Sequence, residues 1–219
     1  QPAQGSAPTL LWGPGDEIDD TWLLTLPATT PPGRHILEAG LYLPEDLSPR
    51  LTLDAGGRPL NRLLLGFVRV APPLDLVGPP PLPLNVPIAD KAALTGYDIQ
   101  GCTWAASRCV IERGATLTVT LYWQAATDII GDYTVFVHLA DSSGKPVAQH
   151  DGRPRGGSYP TSVWQKGDVV ADTHHVLVPE AIPAGDYRLL TGLYDLATGI
   201  RLPTGTPDDS ILILGVAVE

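Results

Sequence analysis

In the run LTVTLYW, residues 117–123, Leu117, Val119, Leu121 and Trp123 fall on one side of an extended chain, and Thr118, Thr120 and Tyr122 on the other. A two-residue period of this kind marks a strand with one face buried. The same reading predicts strands at YDIQG, ATLTVTLYWQA, DYTVFVHLAD, KPVAQHDG, THHVLVP, GDYRLLTGLYD and SILILGVAVE, which is about seven in the later part of the chain. Three more are expected near its start, at TWLLTL, GRHILEAGLYL and LLLGFVRV. PPGR and PAGD supply the Pro and Gly corners of two hairpins. Helical periodicity is nearly absent, because Pro or Gly interrupts most stretches of ten residues. The predicted class is all-β, as immunoglobulin-like β-sandwich units in tandem.

The two groups of strands are related. An offset of 152, Trp12 to Trp164, holds without a gap from Ser6/Ser158 to Tyr42/Tyr194. It matches Pro8 with Pro160, Thr9 with Thr161, Gly15 with Gly167, Asp16 with Asp168, Asp20 with Asp172, Pro27 with Pro179, Pro31 with Pro183 and Gly33 with Gly185. It also matches Gly40-Leu41-Tyr42 with Gly192-Leu193-Tyr194. LLLGFVRV from Leu63 then echoes LILGVAVE from Leu212, glycine on glycine. The expected organisation is an incomplete unit over 1–70 holding only the later strands, a Pro-rich extended connector over 71–87, and a complete unit over 88–219. Three strands alone leave an apolar face and unpaired edges. Upstream sequence, the second unit, or strands from a neighbouring molecule could cover them.

Composition narrows the function classes. Twenty-three Gly and twenty-three Pro in 219 residues agree with many turns between short strands. A net charge of −10, with only 14 Lys and Arg spread along the chain, argues against nucleic acid as a partner. No apolar run is long enough to span a bilayer. The chain has no Met and only two Asn, Asn61 and Asn85, a composition that suits a heat-adapted source. Its start at Gln1, without a recognisable signal peptide, is expected for either a processed protein or a fragment. Cys102 and Cys109 flank TWAASR at hairpin distance, which predicts a short disulfide loop and an extracytoplasmic location.

Candidate chemistry is sparse, and neither a catalytic constellation nor a cofactor or metal site is predicted. His174 and His175 are strand neighbours that point to opposite faces, so they do not share an ion. His138 and His150 with Asp151 make the best polar cluster, read as structural ahead of catalytic. Asp16, Asp19 and Asp20 in GDEIDD lack the regular oxygen spacing of a calcium loop and read as turn caps. Among the aromatics, Trp104, Tyr97 and Tyr159 are candidates for carbohydrate or partner contact, since exposed rings stack on sugar faces. Trp12 and Trp164, before the same Gly-Asp turn, read as corner or core residues.

The motifs LTVTLYWQA, DYTVFVHL, AQHDG, YPTSVW and GDYRLLTGLYD span nearly all of Gly114 to Pro203. In this run the chain resembles the soluble β-sandwich modules at the C-terminal ends of bacterial multi-spanning mannosyltransferase-like proteins and related surface proteins. The resemblance implies an accessory module on the outside of the cell and carries no catalytic residue. The Cys102–Cys109 insertion departs from that pattern. The expected function is non-enzymatic, a secreted or cell-surface structural or assembly role. The incomplete unit would be completed by strands of a neighbouring chain, such as another copy in a filament. The alternative is a carbohydrate-binding accessory module of a membrane glycosyltransferase.

Overall fold

The structure, a computed structural model, describes residues 5–43, 48–50, 52–53, 58–60, 62–105 and 108–219. Gln1 and the tip of the cysteine loop, Ala106 and Ser107, lie outside the described residues. The chain divides after Thr30 into two compact parts.

The first part has a 3-10 turn at Thr9–Leu11 followed by chain in neither helix nor strand. The second begins with a long hairpin of β1 (Gly33–Ala39) and β6 (Leu63–Val70). Two minor ladders lie between them. They pair β2 (Leu41–Tyr42) with β3 (Pro49–Arg50), and β4 (Thr52–Leu53) with β5 (Pro59–Leu60).

A full sandwich follows. Its strands are β7 (Leu82–Ile88), β8 (Ala92–Gln100), β9 (Thr103–Ala105), β10 (Arg108–Ile111), β11 (Thr116–Ala125), β12 (Tyr133–Ala140), β13 (Pro146–Gly152), β14 (Val169–Leu177), β15 (Gly185–Asp195) and β16 (Ile211–Val218). They form a six-stranded sheet, β13-β12-β15-β16-β10-β9, and a four-stranded sheet, β14-β11-β8-β7. All pairings are antiparallel except β10 with β16.

The alternation predicted for 117–123 appears as burial, with Leu117, Val119, Leu121 and Trp123 wholly inaccessible. They form one core with Val135, Val137 and Leu139 of β12 and Leu189 and Leu193 of β15. Each fully buried aliphatic side chain of this kind contributes about 1.5–3 kcal/mol. The sequence read as a connector contributes to this core: Ala71, Leu74, Leu84 and Val86 pack against it, and 82–88 form the edge strand β7. Cys102 and Cys109 are joined in a disulfide with Cα atoms 5.6 Å apart, closing the β9–β10 turn.

Candidate interaction surface

The two repeats build the same corner from the same residues. In each, a 3-10 turn, Thr9–Leu11 or Thr161–Val163, ends at a tryptophan whose indole Nε1 donates to the carbonyl five residues back. Trp12 reaches Ala7 and Trp164 reaches Tyr159, both at 3.0 Å. The Asp16 carboxylate accepts from the Gly13 amide at 2.7 Å, as Asp168 does from Gln165 at 2.9 Å. Gly15 and Gly167 close the turns at φ 92°, in the left-handed region that a side chain disfavours. These bonds span five residues or fewer, so local sequence suffices to make them.

The hairpins also share one pairing register, residue for residue. With β1 shifted by 152 and β6 by 148, every β1–β6 pair maps onto a β15–β16 pair, from Gly33↔Val70 onto Gly185↔Val218 to Ala39↔Leu63 onto Thr191↔Ile211. The irregularity at Leu37/Glu38 falls where β15 has its own at Leu189/Leu190. This corrects the alignment of Gly66 with Gly215 by one residue, because Gly66 stands where Leu214 does. A tether recurs as well. His35 Nε2 bonds the Pro31 carbonyl at 2.9 Å, where Tyr187 donates its hydroxyl to Pro183 at 2.8 Å.

The repeats differ in what lies over them. Leu41 is 39% exposed and its counterpart Leu193 is 0%. Leu24 is 65% exposed against 0% for Val176, and Trp22 is 65% against 1% for His174. Leu65, 55% exposed, occupies the place of Ile213 at 6%. Ile18, Leu26 and Leu63 repeat the contrast with Val170, Val178 and Ile211. These exposed apolar residues of the leading repeat thus occupy positions that are buried in the second.

The cause lies in strand pairing. In the second repeat β14 has one partner, β11; β15 pairs with β12 as well as β16, and β16 with β10 as well as β15. The leading repeat has no counterpart of β10, β11 or β12 among the described residues, so of these pairings only the β15–β16 kind survives, as β1–β6. Residues 21–26, TWLLTL, were expected to be a strand and are not in one, because a β14-type edge strand needs its β11.

The hairpin is anchored on the second repeat through Arg69 of β6. Its guanidinium donates from Nη2 to the Tyr159 hydroxyl at 2.6 Å and from Nε to the Val163 carbonyl, and it lies 3.5 Å from Asp168. The Tyr159 hydroxyl donates in turn to Asp168 at 2.9 Å. Burial and this carboxylate push the Tyr159 hydroxyl up to about 12.

The other predicted site residues are not gathered into one site. Tyr159 is 1% exposed, which corrects its reading as a contact residue; its apolar ring belongs to the core. Tyr97 is half-buried on β8 in the four-stranded sheet, and Trp104 is exposed on β9 in the six-stranded sheet. His138 bonds Asp151 at 3.0 Å, and Asp151 accepts from Tyr194 at 3.2 Å. His150 does not join them. The register sets His138 opposite Gln149 and His150 opposite Val137, so the two imidazoles leave β12 and β13 on opposite faces. His150 Nδ1 instead meets His174 Nδ1 at 2.8 Å, linking the two sheets, while His174 Nε2 bonds the buried Asp172 at 2.8 Å. The even spacing of His174 from Val170 and Val176, which puts it on the buried face of β14, was a sign of this contact. His175 faces the other way and bonds Thr118. Asp16 caps its turn and Asp20 accepts from Trp22 Nε1 at 2.7 Å. No group of three or more His, Cys, Asp or Glu able to hold a metal occurs among the described residues.

No protein-family model matches this sequence, and no curated protein matches it. The motif resemblance to mannosyltransferase-associated modules therefore has no counterpart at the level of a sequence family. Among solved structures, the chain is similar to a Niemann-Pick type C2 protein from Japanese carpenter ant. The TM-score is 0.42 and the identity 10%, over 62% of this chain and 100% of that one. It is also similar to the C-terminal domain of wzt, with a TM-score of 0.39 and 15% identity, over 60% of this chain and 75% of that one. At these values neither neighbour carries a ligand or partner over to this chain. No helix is long and apolar enough to cross a membrane among the described residues.

Proposed function

We propose that the chain is a non-enzymatic, extracytoplasmic β-sandwich protein with an assembly role, whose leading repeat takes up strands from a neighbouring chain. One observation carries this reading: core positions of the leading repeat are solvent-exposed while their counterparts are wholly buried, as with Leu41 and Leu193. The disulfide between Cys102 and Cys109 supports a location outside the reducing cytosol. Amide hydrogen exchange on the monomeric chain tests the reading directly. Residues 17–25 exchange orders of magnitude faster than 169–177, their counterparts by repeat. Equal protection of the two segments in a monomer overturns the proposal.

A second reading, carbohydrate binding, is favoured by the exposed ring of Trp104 on the disulfide-closed hairpin. Binding of a sugar in a millimolar glycan screen, lost in Trp104→Ala, supports it. A silent screen removes it.

A further inference from the structure

Among the described residues β1 pairs with β6 alone, and no backbone hydrogen bond crosses its other edge. We infer that this edge is a self-recognition site: two copies of the chain pair β1 with β1, antiparallel, about a two-fold axis at Ile36. This rests on the assembly reading and names the neighbour. The equivalent edge of β15 shows that a strand of this kind takes an antiparallel partner, since it pairs with β12 from Arg188 to Asp195 with no shift in register. β1 is equally regular, because the extra residue at its irregularity, Leu65, belongs to β6. In a second copy β12 is already held by β15, whereas β1 offers the same open edge.

Charge fixes the register. In GRHILEA, Arg34, Ile36 and Glu38 share one face of the strand. Two identical antiparallel strands related by a two-fold axis pair about one residue that faces its own copy. An axis at Arg34 or at Glu38 sets like charges opposite one another. An axis at His35 or at Leu37 sets each charge against proline, glycine or isoleucine. Only the axis at Ile36 sets Arg34 against Glu38, and it does so twice. Glu38 already accepts from Arg62 at 2.9 Å, and its carboxylate has lone pairs for a second cation. The same axis extends an apolar row. Ile36 and Phe67 stand opposite each other in the hairpin and are both exposed; with their copies they make a line of four across a sheet of order β6-β1-β1-β6.

The test uses the full chain and its variants Arg34→Glu and Glu38→Arg, with sedimentation and amide exchange read at rising concentration. The expected result is a dimer whose formation slows exchange over 33–39 about tenfold or more, with 135–139 unchanged as the sign of an intact fold. Each substitution sets like charges opposite one another twice and weakens the dimer about ten- to a hundredfold. An equimolar mixture of the two variants dimerises as the unaltered chain does, because every altered charge then faces its opposite. A dimer that survives both substitutions, or a mixture that stays monomeric, overturns the inference and leaves the assembly reading standing with another edge or another partner. So does a chain that stays monomeric with 33–39 fast. A monomer with 33–39 already slow has the edge filled from within its own polypeptide and overturns the inference; where 17–25 is then as slow as 169–177, the assembly reading falls with it.

Discussion

Leu193 and Leu41 are the same residue at the same place in two copies of one fold, the middle of a Gly-Leu-Tyr triplet. Leu193 is wholly buried and packs in the main core, whereas Leu41 is 39% exposed. Truncating a buried leucine to alanine removes its transfer energy and leaves a cavity, a cost of about 2–5 kcal/mol. With a urea slope of roughly 2 kcal/mol per molar, Leu193→Ala lowers the unfolding midpoint by about 1–2.5 M. Leu41→Ala removes the same atoms from a site where water already reaches them, and costs less than about 0.5 kcal/mol. Urea titrations followed by tryptophan fluorescence and by far-ultraviolet dichroism decide between the two. If Leu41→Ala shifts the midpoint as far as Leu193→Ala does, the leading repeat already has a packed core in the isolated chain. The reasoning from exposure then fails.

Arg69→Ala removes the bonds to Tyr159 and Val163; hydrogen bonds to a charged group contribute about 1.5–3 kcal/mol. Amides of β1 and β6 then exchange about ten- to a hundredfold faster, with β11 and β12 unchanged, and a uniform change across the chain contradicts the anchoring role. Partial desolvation, followed by the imidazoles of His174 and His175, holds His150 below its usual value. Its contribution to stability is complete above the ordinary histidine value of about 6.5 and is lost as pH falls below it, because the unfolded chain then binds a proton that the folded chain resists. Urea midpoints at pH 8, 6 and 5 should decline in that order, less so in His150→Gln; a midpoint that rises on acidification counts against the assignment. Reducing the disulfide opens a loop of sequence separation 7, worth about 2 kcal/mol in unfolded-state entropy. Thermal unfolding with and without thiol reads this as a drop of several degrees, and an unchanged midpoint refutes it.

Features carried by short-range pattern were legible. The alternation of Leu117, Val119, Leu121 and Trp123 announced a half-buried strand, and the spacing of Cys102 and Cys109 announced their bond. The shared corner around Trp12 and Trp164 was legible because its hydrogen bonds close within five residues. Features that depend on a distant partner were not. TWLLTL has the composition of a strand, but strand formation there requires a neighbour that composition does not mention. The one-residue error at Gly66 arose because identity of glycines outweighed a bulge visible only in the ladder. Tyr159 looked like an exposed aromatic because nothing nearby in sequence reveals Arg69 and Asp168 converging on its hydroxyl.

The edge strand β7 carries Pro83 and Pro87, which cannot donate to a ladder, and β9 at the far margin of the other sheet is three residues long. At the remaining side, His150 and His174 lash β13 to β14 across the gap between sheets. These features disfavour lateral addition to the finished sandwich, while among the described residues the two-stranded ribbon of β1 and β6 has no strand on either flank. Among the described residues, the open strand margins not guarded in these ways are the two edges of the leading hairpin.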